Sequence, residues 1–72
     1  SATALEKENN ALLALYTLQQ EYLTGNLDGC RLTLQEFSDQ KLDELLPDTA
    51  PEGVTTPAQR YLELKEVILN HQ

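Results

Sequence analysis

The chain has no Trp and no Met, and only one Cys, one Phe and one His among its 72 residues. Each shortage removes a class of activity. A lone Cys30 excludes an internal disulfide and points to a reducing cytoplasm. Cys30 and His71 are the only soft metal ligands, and a zinc site takes three or four. As a nucleophile Cys30 would need a neighbouring base, and His71 at the C-terminal end is a poor one, so Cys30 is expected to be a small buried apolar residue. Basic residues are scarce too: five Lys and Arg face twelve Asp and Glu, giving a net charge of −7 and a pI near 4.3. Direct binding to nucleic acid or to an anionic membrane is therefore disfavoured, because phosphate contacts need clustered cations. No apolar run approaches the ~18–20 residues that span a bilayer, and no signal-peptide pattern opens the chain. It begins at Ser1 rather than Met, which fits processing.

What is present is helical patterning. Leu5 to Leu23 is the one run both long and periodic, opened by a capping box of Thr3 and Glu6 and closed at Gly25. At 100° per residue, Leu5, Ala11, Leu12, Leu15, Tyr16, Leu18, Tyr22 and Leu23 fall within an arc of roughly 160°, with Leu13 outside it. That arc is too broad for a strict two-stranded seam and suits a helix touching two neighbours. Thr24 to Gly29 is expected to be a turn with no regular element. A second capping box, Thr33 with Glu36, and a staple of Leu32 on Phe37 place the next helix over about 34–46, stopped by Pro47. Residues 47–56, with two prolines and a glycine, make a connector long enough to cross the bundle. Thr56, Pro57 and Gln59 cap a third helix over about 57–70. The expected fold is one all-α domain: three helices, about 4–24, 34–46 and 57–70, in a small bundle or a hairpin plus third helix, completed by self-association.

Three features invite a functional reading. Thr24, Asn26, Asp28 and Gly29 match positions 1, 3, 5 and 6 of a calcium loop, but Thr stands first, Gln35 replaces the closing Glu, and Arg31 intrudes. An ordinary turn fits better. Glu36, Asp39, Asp43 and Glu44 form a ridge of carboxylates at helical spacing on the second helix. Glu8, Lys41 and Lys65 each interrupt an apolar face; either their stems cover the core, or Glu8 pairs with a lysine to fix an interface.

A single core of this size rarely supplies more than about 3–5 kcal/mol, and association commonly provides the rest. The chain therefore reads as an interaction module, with no catalytic residue, cofactor, metal or small-molecule substrate. It docks apolar faces onto a second copy or a protein partner. The candidate interface residues are Leu12, Leu13, Leu15, Tyr16, Tyr22, Leu64, Val67 and Ile68. The alternative is an acidic antagonist whose ridge of Glu36, Asp39, Asp43 and Glu44 occupies a basic, nucleic-acid-binding surface of another protein.

Overall fold

The computed structural model describes residues 3–70, and every regular element among them is helical. Three α-helices follow in order, α1 (Ala4–Leu23), α2 (Leu27–Gln40) and α3 (Pro57–Leu69), with a 3-10 turn at Leu42–Leu45 after α2. His71 lies outside the described residues, as does Ser1.

α1 and α3 begin where their caps dictate. The Thr3 hydroxyl accepts from the Glu6 N–H at 3.2 Å, and the Glu6 carboxylate reaches back to the Thr3 N–H. Thr56 and Gln59 repeat the exchange at the start of α3, where Pro57 sits in the first turn and gives up no needed donor. Both helices end within a residue of the expected positions.

The second helix is a correction. It starts at Leu27, not at 34, because the Asn26 side chain accepts from the Gly29 N–H at 2.9 Å and the Cys30 N–H closes onto the Asn26 carbonyl at 3.0 Å. Gly25, at φ 76°, turns the chain between α1 and this cap. The stretch expected to be an irregular turn thus supplies the first turn of α2. The Thr33–Glu36 capping box does not form. Thr33 is buried inside α2, and its hydroxyl donates across to the Glu21 carboxylate on α1 at 2.6 Å. Nor does the staple: Leu32 points to solvent while Phe37 is fully buried. α2 also ends before Pro47. Lys41 adopts the left-handed conformation (φ 53°) and its N–H closes on the Phe37 carbonyl, so the chain leaves the helix axis there and tightens into the 3-10 turn.

The connector does not cross the bundle. Its ends are tied together, the Ala58 N–H donating to the Pro47 carbonyl at 3.1 Å and the Thr56 hydroxyl to the Asp48 carboxylate at 2.8 Å. Residues 49–55 close as a loop over that clasp, with Gly53 at φ 83° allowing the bend.

All these elements meet in one core. Ala11, Leu15 and Leu18 of α1, Cys30 and Phe37 of α2, Leu42 and Leu46 around the 3-10 turn, and Tyr61, Leu64 and Ile68 of α3 are buried. At its centre the Phe37 ring stacks on Tyr61, centroids 4.3 Å apart and planes at 23°. No buried side-chain polar atom among the described residues lacks a hydrogen-bond partner.

Candidate interaction surface

A helix in a three-helix chain buries only the strip its neighbours cover, and the strips here are narrow. On α1 the buried residues Ala11, Leu15 and Leu18 centre one strip. Leu5, Tyr16 and Leu23 lie on its far edge and are 67%, 60% and 69% exposed. Leu13 is exposed on the other side. α3 repeats the pattern: Tyr61, Leu64 and Ile68 face the core while Leu62, Val67 and Leu69 stand in water. Leu32 on α2 and Val54 in the connector bring the large exposed hydrophobics to nine, nearly as many as the ten buried residues that form the core. Nine matters because isolated surface leucines are ordinary, whereas several aligned on one helix form a patch.

The expected interface residues divide accordingly. Leu15, Leu64 and Ile68 belong to the core of the chain itself and are closed to a partner without unfolding. Leu12 and Tyr22 are half-buried against that core. Leu13, Tyr16 and Val67 are open. Leu62 and Leu69 on α3 are open too, as are Leu5 and Leu23, which periodicity places in the inward arc of α1. Their position at the arc edge, furthest from Ala11 and Leu18, was the available signal.

The acidic ridge is not one ridge. Glu36 and Asp39 stand on the last turns of α2, and Asp43 and Glu44 on the 3-10 turn beyond the break at Lys41. All four are exposed. Glu36 accepts from Gln40 at 3.4 Å and Asp39 from Gln35 at 2.9 Å, while the ion pairs among the described residues lie elsewhere, Arg31–Asp28 and Arg60–Glu63. Glu36 also borders an open groove of about 320 Å³ between α1 and α2, with Asn10, Thr17 and Gln40 along its sides. Glu8 forms no ion pair with Lys41 or Lys65. Lys65 instead holds its ammonium 5.9 Å from the centre of the Tyr61 ring.

Two groups have displaced ionisation. The Cys30 thiol is pushed up by burial and, next, by the Glu21 carboxylate, with Arg31 and a backbone hydrogen bond opposing. It is thus held in the neutral, unreactive form. Burial and then Asp43 push the Tyr61 phenol up. No group of three or more His, Cys, Asp or Glu among the described residues is placed to hold a metal ion, and no helix is long and apolar enough to cross a membrane. Comparison with known protein families, with characterised proteins and with solved structures finds no match.

Proposed function

We propose that this chain is a small acidic protein-interaction module, non-catalytic and free of cofactors, that works by docking apolar helix faces onto a second copy or a protein partner. The observation that carries the reading is that the nine large apolar residues left exposed nearly match in number the ten residues of the buried core. Water contact with that much hydrocarbon costs free energy at about 25 cal/mol per Å², which docking recovers. The reduced, buried Cys30 suits a cytoplasmic setting. Sedimentation velocity at micromolar concentration tests the reading, together with affinity capture at physiological salt. A chain that stays monomeric and captures no partner would refute it.

The acidic-antagonist reading keeps one observation in its favour: among the described residues, no cation lies within 4 Å of Glu36, Asp39, Asp43 or Glu44 to neutralise it. Replacing all four with neutral residues would abolish binding to a basic surface and leave an apolar interface intact.

A further inference from the structure

Along the outer side of α1, Leu5, Asn9, Leu12, Tyr16, Gln19 and Leu23 follow one another at steps of four, three, four, three and four. That spacing is the heptad alternation of a two-stranded helical seam. The wider arc conceals it, because the inner half of that arc serves the chain's own core. Leu5, Asn9, Tyr16 and Leu23 are exposed, and Leu12 and Gln19 are half-buried. We infer that this stripe is the contact between two copies of the chain, packed as an antiparallel pair of α1 helices about a two-fold axis that crosses the seam at the level of residue 14. The inference rests on the interaction-module reading and names its partner.

The register argues for a second copy. Reversing the helix about residue 14 brings Leu5 opposite Leu23, Asn9 opposite Gln19, and Leu12 opposite Tyr16. Every apolar residue then meets an apolar residue. Each amide meets an amide, which can both donate and accept, so neither is left buried without a partner. A two-fold interface requires this self-matching, whereas an unrelated partner has no reason to select it.

Charge sets the direction. Glu6 and Glu8 flank the stripe at its N-terminal end, while Gln19 and Gln20 lie at the other end and Glu21 turns inward to Thr33. A parallel pair would bring four carboxylates together. The antiparallel pair places Glu6 and Glu8 against uncharged amides and opposes the two helix dipoles. α1 has 20 residues, a length of about 30 Å. One helix pair of that length buries less than the roughly 800 Å² per partner of a standard interface. The dimer is therefore a reversible one.

Sedimentation equilibrium of the full chain over about 1–500 μM tests the seam, with circular dichroism to confirm folding. The wild type should dimerise. Tyr16→Glu should weaken dimerisation at least tenfold, and Leu32→Glu, on exposed α2 surface away from the stripe, should not. Direction is read by mixing Leu5→Cys and Leu23→Cys chains under oxidation: mixed 5-to-23 disulfides should dominate. Disulfides of 5 with 5 and 23 with 23 would overturn the antiparallel arrangement. A dimer indifferent to Tyr16→Glu would overturn the seam and leave self-association standing. A wild type monomeric throughout would overturn the seam, while capture of another protein would still preserve the broader reading.

Discussion

Phe37→Leu is the most exposing test of the core, because one ring carries the junction of α2 and α3. Phe37 is wholly buried and stacked on Tyr61 at 4.3 Å. Removing the stacked pair forfeits about 0.5–1.5 kcal/mol beyond area burial. The smaller aliphatic side chain leaves part of the ring's volume empty, adding roughly 1 kcal/mol of lost transfer and cavity terms. The sum is about 2 kcal/mol. A 72-residue chain holds some 4–11 kcal/mol at ~0.05–0.15 per residue, and a single small core sits toward the bottom of that range. Phe37→Leu should therefore remove a large part of the stability yet leave a folded protein, lowering Tm by about 10 °C. Phe37→Ala, at about 3–5 kcal/mol, should not fold. Urea unfolding followed by far-UV circular dichroism gives the number, at one fixed chain concentration because association adds to apparent stability. A double-mutant cycle with Tyr61→Leu isolates the ring pair. A loss below about 0.5 kcal/mol, or a coupling of zero, would show that Phe37 does not hold α2 to α3.

Four further tests address other links. Asn26→Ala should cost about 1 kcal/mol by removing the cap of α2, seen as a lower urea midpoint and faster amide exchange at Gly29. Gly29→Ala should destabilise despite the better helix former, since its Cβ would lie 2.5 Å from both Asn26 Nδ2 and Glu21 Oε2; an unchanged midpoint would disprove the crowding. Cys30 should react with a disulfide reagent at a rate limited by opening of the fold, and a native-state rate equal to that in urea would contradict its burial. Tyr61 has a raised pKa, so its contribution is intact below the ordinary value of 10.0 and is lost as pH climbs from there through the folded value; Tyr61→Phe should flatten that alkaline loss in urea midpoints.

The two outer helices were legible because their signals are local. Thr3 with Glu6 and Thr56 with Gln59 satisfy backbone donors three residues away, and nothing distant competes for them. α2 was misplaced because Thr33 and Glu36 have the same spacing, yet the Thr33 hydroxyl finds Glu21, twelve residues back, as a stronger, charged acceptor. The true cap, Asn26, lay between two glycines that usually signal a turn, and Gly29 is tolerated in the first helical turn because a Cβ there would strike the cap itself. Periodicity also overstated the inner faces. It sorts residues by angle and cannot know that α3 covers only part of α1, so Leu5 and Leu23 counted as core. The clasp between Pro47 and Ala58 was illegible for a related reason: a loop's path depends on which backbone groups meet, not on its composition.

Salt separates the two readings of this surface more cleanly than any single substitution. Each copy carries −7, so joining two copies brings like charge together even when the seam itself is neutral. Added salt shortens the screening length from ~30 Å at 0.01 M to about 8 Å at 0.15 M and relieves that repulsion. Self-association through α1 should therefore tighten severalfold as salt rises across this range, and hydrophobic burial is not weakened by it. Occupation of a basic partner by Glu36, Asp39, Asp43 and Glu44 runs the other way, since screening removes the attraction that drives it. Sedimentation equilibrium at low and physiological salt reads the sign directly. A dimer that dissociates as salt is added would mean that charge pairing, not the Leu5–Leu23 stripe, holds the copies together.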